Sequence, residues 1–387
     1  MRKVAIVGIG QVPVREHWDS GLREMAVRAI LDAMQDADVR NCDALYVGNM
    51  LAGYLSDQSN LGALLADYAG LQVSEAVSLE AACGSGAAAF RQAVLAVASG
   101  MVESAIAVGV EKLTEHSDVS PTNGLATAAD ADFEAAMGLS FVAINALLMR
   151  RYMHEYKCRK ENFAGFVINA HDNARHNPHA MFRQAIHLEQ YQHAKLIADP
   201  INLLDSSPIA DGAAAVVIVP AEQAKQFAQP AVIVNACEVG VDTLSLSKRK
   251  DPLKLGAVTQ STQRAMQTAG INHTDIDLLE AHDAFSVMTT LALEAAGFAE
   301  YGQGTQLANP ATIGINGKLP LSTFGGLKAR GHPVGATGMY QIVEAVTQLR
   351  HQAPDAIQVS DAKRAMVQNI GGSASYVVTT ILERDKA

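Results

Sequence analysis

The sequence predicts an α/β protein built from two duplicated halves, with a mostly helical insertion in the first. Three observations carry this. Apolar strand-like runs alternate with segments of helical periodicity, the pattern of a layered α/β fold. The order of elements then recurs: Ala33-Met34-Gln35 leads through a polar turn to an apolar run at 43–48, and Ala265-Met266-Gln267 leads through a similar turn to one at 277–281. From Glu115 to about Pro200 Asn, Asp, His and Met become common and the strand signals disappear. This reading places the first half at residues 1–118 and 200–222, the insertion at 119–199 and the second half at 223–387.

In chain order, Val4 to Val7 is a buried-strand run closed by Gly8 and Gly10, whose GxG lacks the third glycine of a dinucleotide fingerprint. Leu22 to Ala37 has helical spacing of apolar residues, 43–48 reads as the next strand, and Gly62 to Ala69 as a helix. Leu79 to Ala82 reads as the end of a buried strand. Cys83-Gly84-Ser85-Gly86 is a turn whose glycines permit close backbone approach, and a helix follows from Ala87. Ser104 to Val110 and Ala213 to Val219 are apolar strands. In the second half, Gly371 and Gly372 are expected to lead the closing strand as Gly212 leads its counterpart. The Gly331–Gly338 turn opens a helix, Met339 to Leu349, as the Cys83 turn does. A pseudo-twofold between the halves would bring those two helix starts face to face.

Composition bounds the function. At 387 residues with 49% hydrophobic content, the chain can bury a large core. No segment reaches about 18 consecutive apolar residues, and Gly8 and Gly10 arrive too soon for a signal peptide, so a cytoplasmic protein is expected. Cys42, Cys83, Cys158 and Cys237 lie far apart with no CxxC pair, which suggests reduced thiols rather than zinc ligands or disulfides. The net charge of −10 opposes a nucleic-acid surface. The basic run Ser247-Lys248-Arg249-Lys250 fits either a solvated loop or contact with a phosphate-bearing ligand. The histidine-rich stretch from His171 to His179 offers no settled ligand spacing, and no metal site is assigned.

Cys83 is the candidate around which chemistry can be organised. A cysteine at a helix N-terminus meets free N–H groups and the positive dipole end, which favour a thiolate nucleophile. The same residue also fits a small buried hydrophobe. His332, in GHPVG, fits a general base or a satisfied helix-cap histidine.

CGSGAAA at Cys83, HDAF at His282 to Phe285, GGLKARGHPVGATG at Gly325 to Gly338 and NIGG at Asn369 to Gly372 together resemble the motif set of the thiolases across nearly the whole chain. The pattern with His-Asp-Ala-Phe is most similar to the archaeal-type branch and its bacterial relatives, with the sterol-carrier-type branch also close. The resemblance implies the thiolase fold, five layers α-β-α-β-α from two halves, with the insertion covering coenzyme A. It implies an acyltransferase that condenses acyl-CoA molecules or cleaves 3-ketoacyl-CoA, with coenzyme A thioesters as substrates and no other cofactor. Homodimers or homotetramers are implied, as is a small zinc-ribbon and OB-fold partner in several relatives.

Residue by residue, the resemblance makes Cys83 the acylated nucleophile and His332 its base. His282 becomes an oxyanion donor, and the backbone N–H groups of Cys83 and Gly371 a second oxyanion hole. Ser207 matches a serine touching the pantetheine arm, or is a simple turn serine. Met137 falls where the acyl tunnel is lined. Asp283 either orients a histidine or caps a helix. The second catalytic cysteine of typical thiolases is replaced by Asn369, and the sterol-carrier alternative by Ala284. His282 is therefore a candidate for the missing proton acceptor, as in a ketosynthase-like Cys-His-His set. A ketosynthase-like condensing enzyme and a non-catalytic scaffold subunit are the competing readings. Retro-aldol cleavage is opposed by the presence of Cys83, since it needs no thiol.

Overall fold

A computed structural model describes residues 2–385. The first half contains β1 (Val4–Gln11), α1 (Leu22–Ala37), β2 (Ala44–Gly48), α2 (Ala52–Leu55), α3 (Leu61–Tyr68), β3 (Glu75–Leu79), α4 (Ser85–Ser99) and β4 (Ala105–Glu111). Next come α5 (Ser120–Ala126), α6 (Phe141–Tyr156), α7 (Ala164–Ala174), α8 (Leu188–His193) and a two-stranded ribbon, β5 (Leu196–Ala198) with β6 (Ile201–Asn202). After β7 (Gly212–Pro220) the second half runs β8 (Val232–Val241), α9 (Gly256–Ala269), β9 (Leu278–Glu280), α10 (Ser286–Ala295), α11 (Pro310–Ile313), α12 (Thr337–Leu349), β10 (Arg364–Gly371) and β11 (Tyr376–Arg384).

The duplication is visible in the strand order β3-β2-β4-β7-β1-β8-β11-β10-β9, which mirrors itself about the antiparallel β1–β8 pair. In each half one strand, β7 or β11, runs against its neighbours while the rest pair in parallel. The partner that β3 lacks in the second half is reduced to a single bridge between Leu279 and Leu321. Every residue of β4 and β7 is buried, because helices cover both faces, and their runs are accordingly apolar without alternation.

Helix burial defines the layers. The stripe Leu22, Met25, Ala26, Ala29, Ile30 and Ala33 packs α1, with α3, on the outer face of the first half. Ala265, Met266 and Leu293 place α9 and α10 on the outer face of the second. Between the sheets lie α4 and α12, sharing one core that includes Phe90, Met339 and Val343. The result is the five-layer α-β-α-β-α arrangement expected.

Three local expectations fail. β3 is an edge strand and mostly exposed rather than buried, since nothing pairs beyond it. The 119–199 stretch is not free of strands: β5 begins at Leu196, too short and too exposed to leave an apolar signature. Gly371 ends β10 instead of leading the last strand, which starts at Tyr376 after a turn.

Candidate active site

The two helix starts meet as the pseudo-symmetry requires, and glycine makes the approach possible. A Cβ on Gly86 would lie 2.7 Å from the Gly335 carbonyl, and one on Gly338 only 2.6 Å from the Ala87 nitrogen. Cys83 is carried on the turn between β3 and α4. Ala82 before it adopts the left-handed conformation at φ 52°, a strained state for a side chain bearing a Cβ. The turn is held by Ser85, whose hydroxyl donates to the Ala82 carbonyl at 2.6 Å and accepts from the Ala81 N–H at 2.9 Å. Glu80 accepts from the Ala82 N–H at 2.6 Å.

Opposite stands His332, on the loop entering α12, its Nδ1 2.7 Å from the Thr337 hydroxyl. That loop is fastened across the halves by buried Glu111, which accepts from the N–H groups of Met50 and Leu51, from Asn49 Nδ2 and from Gly335 N–H, all at 2.9–3.0 Å. His282 follows β9. One ligating atom each from Cys83, His282 and His332 fall within 4.8 Å of one another, and the two imidazoles are edge to face at 5.2 Å between centroids.

Hydrogen bonding determines which nitrogen of His282 carries its proton. The Gln341 amide spends its NH2 on the carbonyls of Glu280 and Gln368, at 3.2 and 3.1 Å, so Gln341 Oε1 is left to accept. Its donor is Asn369 Nδ2 at 3.0 Å, and that same nitrogen lies 3.1 Å from His282 Nδ1. His282 Nδ1 is therefore an acceptor, and in the neutral ring Nε2 bears the hydrogen. Such a ring presents a donor, not a metal-ligating lone pair. Neutrality is enforced: burial, with the Arg330 guanidinium adding to it, pushes the His282 pKa down to about 3. Burial, then His282 and Arg330, holds His332 well below the usual histidine range.

Burial and charge act against the thiolate form expected at Cys83. Burial pushes the Cys83 thiol up to about 12 and the Glu111 carboxylate adds to this, outweighing the backbone N–H groups of Cys83 and Gly372.

These groups line a cavity of about 600 Å³, mostly apolar, with Leu125, Phe141, Phe285 and Met288 among its walls. Ser207 lines it. Met137 does not: it is 73% exposed, at the end of a 3-10 turn that Gly138 closes toward solvent. Gly371 is likewise displaced from the wall. Still part of β10, it packs its backbone against the Ala81 carbonyl, while Gly372, at φ 59°, turns its N–H toward the Cys83 sulfur. Among the described residues Asp283 makes no hydrogen bond to a histidine, and of its two expected roles it takes one close to helix capping, at the first turn of the short helical segment Gly326–Arg330 rather than at α10. It accepts from the Leu327 N–H at 2.7 Å and anchors the 326–330 turn beneath the site. Asn369 is buried and bonded to His282 as described.

Sequence reading passed over Lys328 and Asn145, which also line the cavity, and Glu111, and weighed His171, another lining residue, only as a metal ligand. Lys328 and Glu111 did carry a signal, as charged residues inside otherwise apolar or glycine-rich runs. Asn145 Oδ1 is buried without a partner among the described residues.

The thiolase N-terminal domain matches residues 4–222, and the thiolase C-terminal domain-like family matches 239–384. The chain is 41% identical over 386 residues to an acetyl-CoA acetyltransferase of Methanothermobacter thermautotrophicus, covering 99% of this chain and all of that one. It is 29% identical to the benzoylsuccinyl-CoA thiolase subunit BbsB of Thauera aromatica, covering 96% of this chain and 95% of the relative. Among solved structures, the Ltp2-ChsH2(DUF35) aldolase superposes with a TM-score of 0.85 at 24% identity, over 99% of this chain and 98% of the other, a likeness of fold. With both halves matched in order and full-length identity of 41%, the chain belongs to the thiolase family.

Proposed function

We propose that Cys83, His332 and His282 carry out acyl transfer between coenzyme A thioesters in the cavity they share. The chain is an acyl-CoA C-acyltransferase of the thiolase type. The single observation that carries the site reading is the convergence of one thiol and two neutral imidazoles within 4.8 Å, at the meeting of two helix N-termini.

Cys83 Sγ attacks the thioester carbonyl as neutral His332 takes the thiol proton, so the thiolate forms only as the new bond does. His282 Nε2–H and the Gly372 N–H are donors for the oxygen that becomes negative. The tetrahedral intermediate collapses, breaking the carbon–sulfur bond to coenzyme A, and His332 passes its proton to the departing sulfur. In the second half-reaction His332, neutral again, is the base within reach of the α-carbon proton. The tautomer of His282 favours a donor over the acceptor role that the missing cysteine had suggested. Ser207 and the unpartnered Asn145 Oδ1 are suited to the pantetheine amides, beneath a cover formed by 119–199.

A homo-oligomer is supported by the open edge of β3, and a small partner by the exposed apolar rim of the cavity at Ile197, Leu203 and Ile209. The paired name of the Ltp2-ChsH2(DUF35) aldolase and the subunit status of BbsB point the same way. No helix among the described residues is long and apolar enough to cross a membrane, which fits a cytoplasmic role in acyl-CoA metabolism.

The test is intact-mass spectrometry after incubation with acetyl-CoA. Wild type should gain one acetyl group, and Cys83→Ala none. An unlabelled wild type, or an equally labelled variant, would reject the acyl-enzyme.

A further inference from the structure

The acyl-transfer chemistry leaves a buried charge in the wall of the cavity unused. Lys328 sits in the turn leading to His332, is 2% exposed, and lines the same cavity as Cys83. An ammonium has three N–H donors. Among the described residues Nζ has one hydrogen-bond acceptor, the backbone carbonyl of Asp205, at 2.8 Å. No carboxylate lies within 4.0 Å of it among the described residues.

The nearest acids are engaged elsewhere. Asp205 accepts from the Tyr191 hydroxyl at 2.9 Å and from the Asn202 N–H at 3.0 Å. Asp283 accepts from Leu327 N–H. Burial draws Lys328 down to about 8, despite both acids. An under-partnered cation in a mostly apolar cavity is costly unless a ligand supplies the missing acceptors.

The surrounding wall suits an acyl group rather than a phosphate. Ser206, Ser207 and His171 stand beside apolar side chains. His171 Nδ1 donates to the Gln184 carbonyl at 3.2 Å, because a carbonyl can only accept. Phosphates of coenzyme A carry several charges and are strongly hydrated, and Lys328, 2% exposed, is too deep to serve them from solvent.

We propose that Lys328 is a specificity-determining residue that selects acyl-CoA substrates whose acyl chain ends in a carboxylate, with its ammonium pairing to that carboxylate. The inference rests on the reading of this cavity as an acyl-CoA site. An acyl group carried on Cys83 shares its cavity with the cation, and a terminal carboxylate there would supply a charge-assisted hydrogen bond to the unmet donors.

The experiment is calorimetric binding of glutaryl-CoA, pentanoyl-CoA and coenzyme A to the Cys83→Ala protein, with and without Lys328→Met. Glutaryl-CoA should bind about tenfold or more tightly than pentanoyl-CoA, the scale of one hydrogen bond to a charged group. Lys328→Met should erase that preference and leave pentanoyl-CoA binding within about twofold. Equal affinity for the two thioesters with Lys328 present overturns the proposal, whether or not the variant folds. A loss in Lys328→Met shared equally by all three ligands also overturns it, and assigns the lysine to coenzyme A itself. Acylation of wild-type Cys83 by pentanoyl-CoA, read by intact mass, separately tests the acyl-transfer reading, so the two can fail independently.

Discussion

His282 shows how a side chain three bonds from the chemistry can decide a role. Gln341 commits Asn369 as a donor, Asn369 commits His282 Nδ1 as an acceptor, and Nε2–H is what remains for substrate. A donor can be partly replaced by another donor, whereas a base cannot. His282→Asn should thus retain more turnover than His282→Ala, with the alanine variant slowed by roughly 10²–10³, as for loss of one oxyanion donor. Steady-state kcat for the two variants decides it, and equal, complete loss would restore the base reading. The pH dependence follows from the directions of the shifts. His332 is held well below the ordinary histidine range, so lowering the pH through about 6.5 leaves it unprotonated and still able to accept the thiol proton. A profile of kcat/KM against pH should show no acid limb near 6.5. A limb there would mean that His332 is solvated in solution.

At the scale of elements, the site exists because α4 and α12 start almost in contact. Gly86 and Gly338 leave room for that, and adding a methyl at 338 would meet the Ala87 nitrogen at 2.6 Å and Asn369 Oδ1 at 2.7 Å. Gly338→Ala is expected to cost about 1–3 kcal/mol of stability through overpacking. It should also lower kcat/KM by about 10² by moving His332 away from Cys83. Thermal unfolding and kinetics measure the two effects. Unchanged kinetics in a destabilised variant would separate helix packing from catalysis. Glu111 acts similarly, since its carboxylate joins the end of β4 to the loop bearing His332, with burial pushing it up to about 7.

For the whole molecule, the two halves share more than symmetry. Their sheets join through β1 and β8, and α12 of the second half lies in one core with α4 of the first. Neither half can cover that core alone, so residues 4–222 and 239–384, produced separately, should be insoluble or unfolded by circular dichroism, while the intact chain unfolds in one calorimetric transition. Two resolved transitions would contradict the shared core.

Much of this organisation was legible in the chain. Periodicity located α1 to the residue and β4, β7 and α12 to within a few, because burial on one or both faces demands apolar residues at fixed spacing. The glycine-flanked turns marked Cys83 and His332 as candidates, and the resemblance of the four motifs to the thiolase set added His282. What tertiary structure alone decided depends on distant neighbours. The protonation of Cys83 follows from desolvation and Glu111, the tautomer of His282 from Gln341 and Asn369, and the exposure of Met137 from how the 3-10 turn packs. The place of Lys328 in the cavity follows from the turn at Gly325 and Gly326 rather than from any periodicity. Spacing along the chain encodes which face a residue occupies, and only the packed fold supplies the charges and dipoles that face it.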